Sequence, residues 1–318
     1  LFSILLLIYI GILHVGVFVY PVAWQPVEFG IFSRWVYDAI GATGTLPSII
    51  VMVLLFIQGT AINVIAANHR LADTVTLYPG LFYILIASAL PEFLHLSPLH
   101  MANTFLLIAI SELLKVYKNP SCANNIFNVG FWVAVASLFY PSYLIFIIFG
   151  FTGLNSLRAF NFKEWLMLLS GGMVPYILMG TYIFWIDQFD AFLNLQFLQS
   201  FAFLDFQAQP VPDVYFKITF VDLFLLVAVF SYSLYVFKKV MQVQKKIGIL
   251  YWALFWSGTT LLFQADIQLD HMLIMAIPLG IMISLNFQAI TNRWAEALHL
   301  LIWVVILFFQ YQEILLPT

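Results

Sequence analysis

The sequence predicts an all-α, polytopic transmembrane helical bundle of about eleven spans, with interfacial helices in its first external loop. Three observations predict it. The hydrophobic fraction is 63% and the charged fraction 8%, against soluble averages of about 45–50% and about 25%. Apolar runs near the length that crosses a bilayer recur along the whole chain. Basic residues also alternate between successive connections, as the positive-inside rule requires.

A water-soluble chain of 318 residues with so few charges would be unable to cover its surface. The net charge of -3 carries no nucleic-acid signature, so no nucleic acid is expected as a partner. Cys122 is the only cysteine, which excludes an intrachain disulfide framework and reads as an inert thiol in a polar loop. With no internal repeat and no low-complexity tract, residues 1–318 read as a single integral membrane domain.

The first span, Leu1–Val19, runs into Tyr20–Pro21 with no small-residue cleavage site and is read as uncleaved. Residues 20–46 are then too polar to cross a bilayer and too aromatic for an ordinary solvated loop. As a helix from about Val27, this stretch places Ile31, Phe32, Trp35, Val36 and Ile40 on one side. Ser33, Arg34, Tyr37 and Asp38 fall on the other, with Arg34 and Asp38 four apart as neighbours. Such a helix lies in the membrane interface, aromatic side down and charged side up.

The next spans are Pro47–Ala67, Tyr78–Leu94, His100–Val116, Ile126–Tyr140 and Pro141–Phe160, the last two meeting in a tight hairpin. Trp165–Asp187, Ile218–Val240, Ile249–Phe263, His271–Phe287 and Ala297–Gln310 complete the eleven. Gly171, Gly172, Pro175 and Gly180 interrupt the seventh, and Pro278 and Gly280 the tenth, so kinks are expected there. Residues 188–216 form a second irregular external stretch, rich in phenylalanine and expected to lie on the bilayer or plug a groove.

Ten of the twelve Lys and Arg residues fall in or beside even-numbered connections; only Arg34 and Lys217 fall in odd ones. The even side is therefore predicted cytoplasmic. The odd side is acidic, carrying Glu28, Asp38, Glu92, Asp187, Asp190, Asp205, Asp213, Asp266, Asp270 and Glu313. Positive-inside bias leaves acids outside by default; an outward-facing acidic cavity is the functional reading.

Two constellations on that side are candidates for chemistry. Glu92 and His95, three apart, can share a metal, with His100 joining by folding back. Asp266, Asp270 and His271 can hold a divalent metal ion, one that bridges to a phosphate. The plainer readings are a solvated turn for the first and a helix cap for Asp270. His14, Gln58, Asn63, Asn103 and Gln288 are the main strongly polar groups in or at the ends of spans, and no ionisable residue sits clearly at mid-membrane. This weighs against a proton- or ion-coupled secondary transporter and leaves a channel, a flippase or another lipid or solute transporter as the third reading. P-loop, GxSxG and HExxH motifs are all missing from the sequence, which gives no support to nucleotide hydrolysis or cytosolic catalysis. Basic clusters at Lys115–Lys118 and Lys238–Lys246 set topology and touch anionic membrane lipids.

Several segments carry a resemblance: Asn63 with Asn68-His69-Arg70-Leu71, Leu90-Pro91-Glu92, Asn103-Thr104-Phe105, Phe127 to Phe131, Ala136 to Pro141, and Arg158 to Trp165. Over a third to a half of its length the chain resembles an uncharacterised polytopic family of Bacteroidota. That resemblance implies a bacterial inner (cytoplasmic) membrane, with the acidic face periplasmic, and no particular activity. The architecture also resembles GT-C membrane glycosyltransferases, which have many spans and a first external loop bearing the catalytic acid. This second resemblance implies a transferase using a polyprenyl-phosphate lipid-linked sugar, with Glu28 or Asp38 as catalytic acid and Arg34 on the lipid phosphate. Glu92, His95 and His100 are the further candidate substrate-binding residues. The chain departs from that pattern in lacking a paired-acid motif directly after the first span. A second class of function stands beside it: a non-catalytic integral subunit whose partners are other membrane protein subunits of an envelope complex.

Overall fold

The computed structural model of the chain describes residues 2–19, 24, 30–198, 212–263 and 269–315. Among the described residues there is no strand. The first half contains α1 (Phe2–Val19), α2 (Ile31–Ile40), α3 (Thr45–Asn68), α4 (Tyr78–Ala87), α5 (Pro98–Leu114), α6 (Ala123–Phe139) and α7 (Phe146–Leu157). The second contains α8 (Phe162–Trp185), α9 (Phe189–Leu193), α10 (Pro212–Phe230), α11 (Tyr232–Tyr235), α12 (Met241–Thr260), α13 (Ala276–Ala289) and α14 (Asn292–Leu315). Short 3-10 turns at Pro91–Leu94, Pro141–Ile145 and Leu269–Met275 extend α4, α7 and α13 at one end of the molecule.

Each predicted apolar segment falls on one or more of these helices. Among the described residues, five are long and apolar enough to cross a membrane: Thr45–Asn68, Phe162–Trp185, Met241–Phe263, Leu269–Ala289 and Arg293–Tyr311. Shorter apolar helices are Ile4–Val19, Tyr78–Ala87, Pro98–Leu114, Ala123–Phe139 and Pro141–Leu157. The segment Leu269–Ala289 is 89% buried and forms the centre of the bundle, whereas Arg293–Tyr311 is 17% buried and lies at its edge. Leu178, Phe184 and Trp185 on α8 and Leu300 and Leu301 on α14 point outward. Such a surface is stable against lipid tails, which are as apolar as the side chains they touch.

The glycines of α8 do not break it. That helix runs unbroken from Phe162 to Trp185 through Gly171, Gly172 and Pro175. Gly130 and Gly171 instead let α6 and α8 approach backbone to backbone: a Cβ would meet Leu168 O at 1.9 Å from Gly130 and Phe127 O at 2.0 Å from Gly171. Pro278 sits in the first turn of α13, where its missing N–H deprives no helical bond.

Two amide side chains inside the bundle, Gln58 and Asn103, are bonded to neighbouring elements. Gln58 donates to His100 O and to Thr104 Oγ1, each at 2.7 Å, and accepts from Tyr83 Oη. Asn103 donates to Leu273 O at 3.0 Å and accepts from Tyr143 Oη at 2.7 Å. These bonds hold α3, α4, α5 and the Leu269–Met275 turn in register.

Side-chain contacts of the connections sort into two groups. At one end, Lys239 pairs with Asp73, Lys246 lies 2.9 Å from His69, and Arg158 lies 3.4 Å from Glu164. At the other, Lys217 pairs with Glu92, Tyr37 bonds Leu96, and Ser33 bonds Phe139. The first group joins even-numbered connections and the second joins odd ones.

The described helix of the first loop, α2, starts at Ile31, and its bundle side takes residues from both predicted faces: Ile31 is buried and Phe32 packs on Phe139. Gly30 N donates to Phe139 O at 2.8 Å, and Ser33 Oγ donates to the same carbonyl at 2.9 Å. Tyr37 Oη donates to Leu96 O at 2.8 Å. Ser33, Val36, Tyr37 and Ile40 therefore face the bundle, and Trp35 lies outside against Tyr182. The carbonyl at the end of α6 and that of Leu96 bond the two hydroxyls, which places Ser33 and Tyr37 inward alongside Ile31, Val36 and Ile40.

Candidate functional site on the acidic face

Three elements bring acids and their partners together at the acidic end. Pro91 starts the Pro91–Leu94 turn that aims Glu92 across the bundle. There Glu92 Oε1 lies 2.8 Å from Nζ of Lys217, on the first turns of α10. Lys217 is 8% exposed and Glu92 31% exposed, so this is a largely dehydrated pair. Asp270, on the Leu269–Met275 turn, is buried and interacts electrostatically with Glu92. The Trp24 indole donates to its carboxylate.

Each carboxylate keeps one buried oxygen, Glu92 Oε2 and Asp270 Oδ1, with no hydrogen-bond partner among the described residues. A buried unpaired carboxylate oxygen forfeits hydration without return; here one belongs to Glu92, which Lys217 pairs, and the other to Asp270, which lies near enough to feel the Glu92 charge. Packing alone does not demand this arrangement, which makes it the strongest candidate for chemistry.

Aromatic rings cover the cluster. His95 stacks on Trp24 with centroids 5.5 Å apart and planes 9° apart. Burial pushes the His95 imidazole below its ordinary value, and the Glu92 charge opposes that shift, so the ring stands neutral at pH 7. His95 also lines a cavity of about 270 Å³ with Val17, Phe18, Thr43, Gly44 and Ser48, at the ends of α1 and α3. Burial, with the nearby Asp270 charge, raises the Tyr37 phenol well above its ordinary value, so it remains a donor.

The other predicted residues are placed differently. Arg34 and Asp38 pair at 4.0 Å on the outside of α2, 53% and 71% exposed, away from the acid pair. His100 is fully buried in the first turn of α5, its Nε2–H donating to Phe93 O at 2.7 Å, so it does not fold back to Glu92 and His95. His271 is buried against the Tyr140 ring, with centroids 5.7 Å apart. Asp270 does not cap α13, whose N-cap is Met275. Glu28 and Asp266 lie outside the described residues. Among the described residues no group of three or more His, Cys, Asp or Glu side chains is gathered that can hold a metal ion.

Sequence reasoning missed Trp24, Tyr37 and Lys217 as members of the site. The signal for Lys217 was present: it is one of only two cations on a face otherwise acidic. Nothing in the sequence pairs it with Glu92, 125 residues earlier. Comparison with protein-family models, with curated proteins and with solved structures finds no match to this chain.

Proposed function

We propose that the chain is a GT-C-like membrane transferase acting at its acidic face on a polyprenyl-phosphate-linked sugar. The observation that carries the reading is the pair of neighbouring carboxylates, Glu92 and Asp270, the first bound by the buried Lys217, with an oxygen of each left open. In this reading Asp270 Oδ1 takes the proton of the acceptor hydroxyl. The acceptor oxygen bonds to the anomeric carbon as the bond to the lipid phosphate breaks, and the Lys217 ammonium meets the charge on the leaving phosphate. Trp24 and His95 offer ring faces to the sugar. Glu28, four residues beyond Trp24, is the remaining acid of the first loop for the same role; Asp38, on the water side of α2, is set aside. A divalent metal at Asp266, Asp270 and His271 would serve the phosphate in the same place.

The topology belonging to this reading is eleven crossings of a bacterial inner membrane with the acidic face periplasmic. It is supported by ten of twelve cations in even-numbered connections and by side-chain contacts that join even connections to even and odd to odd. The second reading, a non-catalytic subunit of an envelope complex, is favoured by Arg34, Trp35 and Asp38, which α2 presents outward with no role in the bundle core.

The test is purification in mild detergent, then incubation with a synthetic polyprenyl phosphate carrying a radiolabelled hexose and a hydroxyl acceptor. Transfer that falls at least about a hundredfold in Glu92→Gln or Asp270→Asn, and persists in Asp38→Asn, upholds the enzyme. No transfer, together with a stoichiometric protein partner whose retention depends on Arg34 and Asp38, replaces it with the subunit.

A further inference from the structure

The opposite, basic end holds a second cavity that the proposed reaction does not use. It has a volume of about 470 Å³ and lies between the end of α3, the residues leading into α4, and those leading into α12. Arg70, Lys238 and Lys239 line it against one carboxylate, Asp73. Lys239 pairs with Asp73, and among the described residues neither Arg70 nor Lys238 has an ion-pair partner. Asn63, also in the lining, accepts from Gly80 N at 2.8 Å and leaves its Nδ2 donor buried without a partner. The cavity thus offers two uncompensated cations, with its one acid already engaged. That set matches an acceptor-only, singly or doubly charged oxyanion such as a phosphate ester.

The rim identifies which phosphate. Val75 and Val240, both in the lining, are 85% and 69% exposed. A soluble phosphate leaves that collar in water; a lipid covers it with its chains while the headgroup enters the cavity. The cavity also lies where α3 ends and α4 begins, the level at which a spanning helix meets headgroups. We propose that this cavity is a binding site for the phosphate headgroup of an anionic phospholipid, and that the Val75 and Val240 collar holds its acyl chains.

Native mass spectrometry of the full chain, purified with phosphatidylglycerol in the micelle, reads the site directly. The wild type retains one tightly held phosphatidylglycerol, and Arg70→Gln with Lys238→Gln lowers its retention about tenfold. Lys163→Gln, a cation of the same end that does not line the cavity, leaves retention unchanged. Val75→Ser with Val240→Ser weakens phosphatidylglycerol while leaving any binding of inorganic phosphate unaltered. Thermal unfolding of each variant at the wild-type temperature separates lost lipid from lost fold. Equal retention in the Arg70 and Lys238 double variant overturns the proposal, as does an equal loss in Lys163→Gln. Displacement of the lipid by millimolar inorganic phosphate, with the collar variant behaving as wild type, assigns the site to a free phosphate instead.

Discussion

Lys217 Nζ lies 2.8 Å from Glu92 Oε1, joining the start of α10 to the Pro91–Leu94 turn through a pair whose lysine is 8% exposed. The open oxygen of Glu92 and the nearby Asp270 make this cation the only described counter-charge of the site. Replacing Lys217 by Met leaves the partly exposed Glu92 without its cation near the buried Asp270 and is expected to cost up to about 3 kcal/mol, the low end for breaking a buried pair because water still reaches Glu92. Adding Glu92→Gln to that variant recovers part of the loss. Thermal unfolding of the two variants in the same detergent checks both statements.

The exposed pair on α2 behaves in the opposite way. Arg34 and Asp38 are 4.0 Å apart and more than half exposed, so water screens them well. Arg34→Gln and Asp38→Asn should each move stability by no more than about 0.5 kcal/mol. A larger effect in unfolding experiments would place the pair in an interface that the isolated chain does not contain.

Close approach of α6 and α8 depends on two glycines. A methyl at Gly130 would stand 1.9 Å from Leu168 O, and backbone does not yield as a side chain does. Gly130→Ala is expected to destabilise by about 1–3 kcal/mol, the overpacking range, and Gly171→Ala likewise. Gly180, beside which nothing lies within 4 Å, tolerates alanine in the same helix. Comparing the three variants by thermal unfolding isolates the contact from helix propensity.

Acid should loosen the basic end first at His69. Burial, then the charges of Lys246 and Lys115, hold its imidazole down at about 4. The unfolded chain takes up the proton near pH 6.5, and the native state resists it. Stability from this residue is therefore complete above about pH 6.5 and is lost as pH falls toward about 4. His69→Asn keeps an acceptor for Lys246, whose Nζ lies 2.9 Å from the ring nitrogen Nδ1. The variant should show a shallower fall in unfolding temperature between pH 6.5 and pH 4.5.

The sequence alone determined the class of this protein. Apolar runs separated by charged connections form helices in lipid because each backbone group must be satisfied within its own segment. Every predicted run duly falls on a helix, from Phe2–Val19 to Asn292–Leu315. The distribution of Lys and Arg was equally legible, since it is a property of connections counted one after another. Which side of α2 faces the bundle was not. Its period set Ile31, Val36 and Ile40 on one side, but only Phe139 O and Leu96 O, contributed by other elements, brought Ser33 and Tyr37 inward with them. The roles of Gly130 and Gly171 depended on the neighbour each helix met. Most of the candidate site belongs to that second kind. Glu92, Asp270 and His95 stood out as acids and a histidine on one face, yet only tertiary structure set Lys217 beside Glu92 and Trp24 against both His95 and Asp270. Local patterns specify an element by its own periodicity; a site is specified by distances between elements far apart in the chain, and those follow only from how the helices pack.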